Sequence, residues 1–354
     1  MLWLTISVFL SSVLGSNPAE SLQVFRDVFF KILLLFFLLQ NMLTSKERLV
    51  SFAVVQSVLC AALGLYAVVS KVSGNANIEG SRAALVGLLG DPNDLALILL
   101  MPIHFLFFFA KDGSGLRRVL AGIGFSLCIL GVMSTLSRGG MLGLAGGMAL
   151  SLRSFIKSKL VIAGLLFAGL LIFVIGSGVS DRRSGAIGGD EIDESAQGRL
   201  DAWKAGGRML VRHPVLGVGL QRFADNFDRF SNNPVFWGRH ETHNSYIKVA
   251  AETGFMGLIP FAALILRSLL QARRLNRRTP SSEKSEGESA IRKSSFSNIA
   301  GFCVAAFFLS QCWGWFFFIF FVYIDRCESI LSSTPNLPGA KGNRQMAGGR
   351  CGIS

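Results

Sequence analysis

Apolar runs long enough to cross a bilayer recur along this chain, separated by short polar connections and one long one. A hydrocarbon core of about 30 Å needs roughly 17–25 apolar residues as helix, and a helix satisfies its own backbone hydrogen bonds in lipid. Nine windows fit or approach this pattern: 1–15, 27–43, 50–70, 93–110, 118–134, 139–153, 159–178, 246–269 and 298–324. The first and sixth are short. Residues 1–15 lack the basic flank and A-x-A site of a signal peptide, so they read as a span that begins abruptly, as though upstream sequence were missing. The pattern predicts an all-α, polytopic transmembrane helical protein of about nine spans, with a large outer loop containing amphipathic helices. Four segments follow: 1–178 with seven spans, the loop 179–245, 246–324 with two spans around a polar linker at 271–297, and the tail 325–354.

Lys and Arg near span ends are retained on the cytoplasmic side. Lys46 with Arg48, Lys111 with Arg117 and Arg118, Arg153 with Lys157 and Lys159, and Arg273, Arg274, Arg277 and Arg278 occupy every second connection, so all four blocks agree on one side. The segment Asn75 to Asp91, the turn at Arg138 and the loop 179–245 then face outward. That loop carries nine basic and nine acidic residues and gives no contrary signal. The tail fits poorly: Arg326, Lys341, Arg344 and Arg350 fall on the expected outer side, so either a tenth crossing is absent from this reading or the tail is atypical.

Composition agrees with the membrane reading. Hydrophobic residues make up 51% of the 354 and mean hydropathy is +0.49. Charged residues are 16%, against roughly 25% in soluble domains. Thirty Phe against three Tyr suggests lipid-facing chemistry, since Phe has no hydroxyl to satisfy in hydrocarbon. A soluble enzyme, a disordered regulator and a small secreted module are excluded. The net charge of +13 sits mainly in short blocks between apolar runs, which points to membrane orientation and not to nucleic acid. Cys60, Cys128, Cys303 and Cys312 lie within apolar runs, Cys327 and Cys351 in or near the tail, and no C-x-x-C occurs, so neither a disulfide framework nor a thiolate zinc site is supported.

The long outer loop exceeds a passive connection and marks function. Within it, Gly198 to Val211 has helical periodicity. With Arg199 at 0° and about 100° per residue, Leu210, Trp203, Leu200 and Val211 fall at about 20–120°, and Met209 and Ala202 near 280–300°. Lys204, Arg208, Asp201, Arg212 and Ala205 take the opposite arc. This predicts an amphipathic helix lying on the membrane or against the spans, with Trp203 at the interface and a weak point at Gly206-Gly207. Arg199 interrupts the apolar arc. It either snorkels to water or points into a cavity to hold an anion, a role that suits its permanent charge and planar fork.

His213-Pro214-Val215-Leu216-Gly217-Val218-Gly219 reads as a helix stop and a tight glycine turn, since its G-x-G lacks the third glycine and the preceding strand of a nucleotide loop. The acidic run Asp190, Glu191, Asp193, Glu194 lacks calcium-loop spacing. Arg239-His240-Glu241-Thr242-His243-Asn244-Ser245-Tyr246 is not H-E-x-x-H. Three readings stand for His243: a general base poised where a span meets water, a zinc ligand with His213 and His240, or a structural cap of the next helix. Ser134-Thr135-Leu136-Ser137-Arg138-Gly139-Gly140 places a second arginine at an outer turn, as an interfacial anchor or as a ligand site beside small residues.

These strings resemble those of the O-antigen ligase and Wzy-type O-antigen polymerase superfamily of bacterial membrane glycan transferases. The resemblance rests on Gly90-Asp91-Pro92-Asn93-Asp94-Leu95-Ala96, Leu136-Ser137-Arg138-Gly139-Gly140, Gly198-Arg199 with Trp203, His213-Pro214 with Gly217-Val218-Gly219, and His243-Asn244-Ser245-Tyr246 with Glu252-Thr253-Gly254. They occur in the family's order across roughly residues 20–325. The resemblance implies a multi-pass protein of the bacterial inner membrane with its active site in a periplasmic catalytic loop at 179–245, lipopolysaccharide or other envelope polysaccharide as its product, and undecaprenyl-pyrophosphate-linked glycan as donor. Lipid A core, a protein or a glycan would be the acceptor. It implies that Arg138, Arg199 and His243 are catalytic, the arginines clamping pyrophosphate and His243 activating the acceptor hydroxyl. Substrate contacts would come from Arg138, Arg199, Trp203, His213, Asn244 and Glu252. Neither a metal nor a cofactor is expected. Relatives usually have further spans before the position of Met1, so the chain reads as N-terminally shortened.

Two other classes fit part of the pattern. A permease for an anion such as bicarbonate would use the same outward arginines, but has no need of a long loop with an amphipathic helix and a histidine; nor is an internal repeat, common in transporters, present. A non-catalytic polysaccharide assembly protein is the other.

Overall fold

The computed structural model describes residues 1–74, 82–84, 90–153, 155, 191–232, 241–277 and 285–332. The seventh window at 159–178, Lys157 and Lys159, Asp190, Arg239 and His240, the centre of the polar linker at 278–284, and the tail from 333 lie outside the described residues.

Every regular element among the described residues is helical, as the apolar pattern predicts. We number them α1 (Leu2–Leu14), α2 (Pro18–Val24), α3 (Phe30–Met42), α4 (Lys46–Val72), α5 (Pro92–Asp112), α6 (Gly115–Ser134), α7 (Arg138–Leu152), α8 (Glu191–Arg212), α9 (Phe223–Phe230), α10 (Ser245–Arg277), α11 (Glu286–Ala306) and α12 (Trp315–Ser332). A π-helical turn at Phe25–Phe29 joins α2 to α3, so the helical path is unbroken from Pro18 to Met42. Among the described residues, four helices are long and apolar enough to cross a membrane: α4, α5, α6 and α10. At about 1.5 Å per residue, even the 20 residues of α6 reach about 30 Å. Val58 and Leu59 on α4, Val119 and Leu120 on α6, and Ile259 and Leu266 on α10 are exposed, an apolar belt fit for lipid. The chain is a multi-pass membrane protein.

Many phenylalanines expected to face lipid fill the interior instead. Phe29, Phe261, Phe302, Phe317 and Phe318 are fully buried, and Phe302 meets both Phe317 and Phe320 with ring centroids 4.7 Å apart. The property that suits Phe to lipid, the lack of a hydroxyl, suits it equally to a dry helix interface.

The ninth window, 298–324, is not one span. Its residues divide between α11 and α12, with the segment 307–314 between them. Contacts show that the two helices run in opposite directions. At one end of the bundle, Lys46 pairs with Glu288 at 3.3 Å, Lys293 with Asp112 at 2.8 Å, and Ser114 Oγ donates to Glu286 at 2.7 Å. The α11 helix starts there and climbs until Leu309 O accepts from Ser245 Oγ, at the other end. The α12 helix then returns, so that Arg326 Nε donates to Leu43 O at 2.9 Å and Arg292 Nη2 to Leu331 O at 2.8 Å. This descent brings Arg326 to the end that carries the basic blocks, and removes the conflict over orientation for that residue. The expected polar linker 271–297 is also shorter than its polarity suggests, because α10 runs on to Arg277 and α11 begins at Glu286. Ser285 caps that helix, accepting from Glu288 N, and its polar residues Arg292, Ser294 and Ser295 are buried between helices.

The α10 helix breaks at Gly254, whose φ of 61° and ψ of −163° are non-helical. A break within a membrane helix frees N–H and C=O groups that lipid cannot satisfy. The turn after His213 supplies the partners: Pro214 O and Val215 O accept from Phe255 N at 2.7 Å and Met256 N at 3.1 Å, while Val218 N and Gly219 N donate to Ala251 O and Glu252 O at 2.9 and 3.0 Å. From the other flank, Ser11 Oγ and Ser7 Oγ on α1 donate to Glu252 O and Met256 O, each at 2.6 Å. The glycine turn predicted from sequence is therefore a plug in a spanning helix.

Candidate active site

The site is assembled at the bundle end opposite the basic blocks. Asp91 caps α5, accepting from Asn93 N at 2.7 Å, and Pro92 follows at the first helical position. Ser137 caps α7 through Gly140 N and donates to Asn93 Oδ1 at 2.8 Å, so the two caps interlock. Arg82 joins them, donating from Nη2 to Asn93 Oδ1 at 3.3 Å and from Nε to Thr135 O at 3.2 Å. Gly140 allows this approach: a Cβ there would lie 2.6 Å from Ala96 Cβ. Arg138 is the first residue of α7, where the helix dipole opposes a cation. A helix-stabilising role is thereby disfavoured.

The α8 helix forms as predicted and passes through Gly206-Gly207 without interruption. Its buried face is one flank of the predicted arc together with Ala205. Ala202, Ala205, Gly206 and Met209 are buried, whereas Leu200 and Val211 are exposed. Small side chains allow close packing, since a Cβ on Gly206 would fall 2.5 Å from Ile247 Cγ2 of α10. Arg199 stands at the edge of this seam, half-buried. Arg138 and Arg82 lie near enough that, after burial itself, their charges depress its pKa. Among the described residues neither Arg138 nor Arg199 makes a hydrogen bond or ion pair. Two half-buried arginines with no counter-ion, beside a third, form a site that attracts an anion.

His243 lies close to Arg199. Its φ of 45° is in the left-handed region, as are Leu136 at 51° and Gln221 at 58°. Such backbone costs about 1–2 kcal/mol in a non-glycine residue and concentrates at functional sites. All three positions adjoin the site: Leu136 precedes Ser137-Arg138, and Gln221 and His243 line one cavity. The residues flanking His243 are tied down. Thr242 O accepts from Trp203 Nε1 at 2.9 Å, and Thr242 Oγ1 meets Ser310 Oγ at 2.9 Å. Asn244 Oδ1 caps α10, accepting from Tyr246 N and Ile247 N at 3.0 and 3.1 Å. Burial lowers the His243 pKa from its usual 6.5 and Arg199 lowers it further, against opposing pulls from Glu241 and Asp91. A neutral imidazole, able to accept a proton, is favoured.

The cavity beside His243 has a volume of about 240 Å³ and is reached by Asp91, Asn93, Gln221, Glu241, Lys248 and the 309–314 segment. Lys248 pairs with Glu241 at 2.8 Å. Beneath, fully buried Glu252 accepts from Trp313 Nε1 at 2.6 Å and from Phe223 N at 3.3 Å, tying α10 to α9 and to the α11–α12 segment.

The structure thus brings together Arg138, Arg199 and His243. It gives Trp203, Asn244 and Glu252 structural contacts that hold the site's walls. It does not bring His213 to the cavity: that residue is exposed and packs against the Phe230 ring, 6.1 Å between centroids. Among the described residues no group of three metal-ligating side chains occurs. Sequence reasoning missed Arg82, which lies between windows in a segment with no motif, and Gln221 and Gln311, which signal nothing until the fold places them.

Two comparisons bear on this helical membrane fold with its arginine and histidine site. The O-antigen ligase family model matches residues 123–262, which include Arg138, Arg199 and His243. The chain is also similar to the exopolysaccharide production protein ExoQ of Rhizobium meliloti, 28% identical over 213 residues, covering 54% of this chain and 48% of that protein. The chain spans about half the length of the curated relative it matches. The resemblance to the O-antigen ligase and polymerase superfamily is shown by both.

Proposed function

We propose that this protein is a membrane glycosyltransferase of the O-antigen ligase or polymerase type, taking a glycan from undecaprenyl pyrophosphate at the periplasmic face of the bacterial inner membrane. One observation carries the reading: Arg199, with Arg138 near it, both half-buried and without a counter-ion among the described residues, lies close to a histidine held in left-handed backbone. A diphosphate answers the first feature, and an attacking hydroxyl the second.

In this reading the arginines hold the pyrophosphate oxygens by charge-assisted, bidentate contacts. Neutral His243 takes the proton of the acceptor hydroxyl as its oxygen bonds to the anomeric carbon. The bond from that carbon to the pyrophosphate oxygen breaks, and lipid pyrophosphate leaves with the bonding pair, its charge met by Arg138 and Arg199. The acceptor, whether lipid A core, a protein or a glycan, gains the chain.

The test is reconstitution of the full chain in lipid nanodiscs with undecaprenyl-pyrophosphate-linked glycan and candidate acceptors. Release of undecaprenyl pyrophosphate together with an elongated acceptor is expected. Failure to bind the lipid pyrophosphate at all would overturn the reading.

A further inference from the structure

The cavity beside His243 differs in electrostatic character from the arginine cluster. Asp91 and Glu241 reach into it, whereas Arg82, Arg138 and Arg199 do not line it. Among the described residues, the one cation there, Lys248, is already engaged by Glu241 at 2.8 Å and by the charge of Glu252. A pyrophosphate in this cavity would face two carboxylates and, among the described residues, no cation to spare, a repulsive arrangement near low-dielectric walls. A non-anionic occupant is favoured.

The Gln221 and Gln311 side chains are suited to such an occupant. Both line the cavity, and among the described residues neither side-chain amide makes a hydrogen bond. A carboxamide offers two donors and one acceptor oxygen, which matches hydroxyls that both donate and accept. Gln221 is also held at a φ of 58°, a conformation it adopts at a cost. The volume of about 240 Å³ is below the roughly 300–1,000 Å³ of drug-sized pockets. That size suits one sugar ring, with the rest of a chain lying outside. His243 belongs both to this wall and to the neighbourhood of Arg199.

Resting on the transferase reading above, we propose that this cavity is the subsite for the acceptor's terminal sugar, that it takes a neutral sugar, and that Gln221 and Gln311 select among sugars by their hydroxyls. The acceptor hydroxyl would then meet the donor's anomeric carbon at His243, with the phosphates held outside the cavity.

The experiment measures binding to the full chain in nanodiscs by saturation-transfer NMR and calorimetry. The probes are methyl glucoside, methyl galactoside, methyl rhamnoside, methyl glucuronide and, in parallel, undecaprenyl pyrophosphate. The variants are Gln311→Ala, Gln221→Asn and Arg199→Gln; Asn tolerates left-handed backbone better than most residues, so a loss in Gln221→Asn reports the shortened side chain. At least one neutral glycoside should bind and the glucuronide should not. Either glutamine variant should weaken that glycoside about tenfold, or change which glycoside is preferred, and leave undecaprenyl pyrophosphate binding intact. Arg199→Gln should do the reverse. If lipid pyrophosphate binds through Arg199 but no glycoside binds, or glycoside binding ignores both glutamines, the subsite is wrong and the transferase reading stands. If glycosides bind through the glutamines while lipid pyrophosphate does not bind, the cavity is a sugar site but not an acceptor subsite, and the transferase reading falls with that assignment.

Discussion

Trp203 Nε1 donates to the carbonyl oxygen of Thr242 at 2.9 Å, fastening the helix that carries Arg199 to the residue before His243. The same indole ring meets Phe307 edge-on, 5.4 Å between centroids. Trp203→Phe keeps an aromatic ring and removes the donor. The expected result is a kcat lowered about 10- to 100-fold by misplacement of His243, with undecaprenyl pyrophosphate affinity changed little. Equal loss of both would mean that Trp203 contacts the donor directly.

Replacing Arg138 or Arg199 by Lys preserves charge and removes the planar fork. Charged hydrogen bonds contribute about 1.5–3 kcal/mol, so each variant should bind undecaprenyl pyrophosphate roughly 10- to 100-fold more weakly while still reaching the membrane. Binding at the wild-type level in both variants would exclude the clamp. Arg82→Gln should have a smaller effect on binding, because Arg82 already donates to Asn93 and Thr135.

As the proposed base, His243 would act in its neutral form, and its pKa is lowered from the usual 6.5. Activity should therefore hold through pH 7 and fall only as pH drops through that lowered value. Arg199 is one of the groups that lowers it, so Arg199→Gln should raise the His243 pKa. NMR titration of labelled histidine without substrate, assigned with a His243→Gln control, measures this apart from catalysis. A pKa that stays put or falls in Arg199→Gln would show that the two side chains are not coupled.

Gly254 holds a φ of 61°, and a Cβ there would fall 2.6 Å from Pro214 O. Gly254→Ala should strain or expel the 214–219 turn, at a cost of a few kcal/mol. Lower yield and thermal stability in detergent are expected, together with protease sensitivity near Val215. A Gly207→Ala control, at a helical glycine with open space around it, should be neutral or slightly stabilising.

Much of this architecture is legible in the chain. Apolar windows predict the helices, and the basic blocks at Lys46, Lys111 and Arg153 predict which ends share a side, because each depends on local composition. The division of 298–324 into α11 and α12 is hidden, since Phe307 to Trp313 is nearly as apolar as the helices on either side; only the basic tail's conflict with the other blocks hints at it. In α8 the seam of Ala202, Ala205, Gly206 and Met209 falls on one flank of the apolar arc, while the larger Leu200 and Val211 are exposed; a hydrophobic count undervalues the small residues that pack. His213 looks chemical by its type and serves a turn. The plug at Gly254 is a pairing between residues about 40 apart, and no local pattern encodes the partner. Arg199 and His243 stand out in the sequence as candidates because each sits where a fold-stabilising role explains it poorly.

The account stands most directly on His243→Ala in nanodiscs, assayed in parallel for undecaprenyl pyrophosphate binding and for glycan transfer. Loss of the base should lower transfer by about 10²–10⁴-fold and leave binding by the arginines near the wild-type level. Transfer at the wild-type rate, or loss of binding together with transfer, would contradict the separation of an arginine clamp from a histidine base.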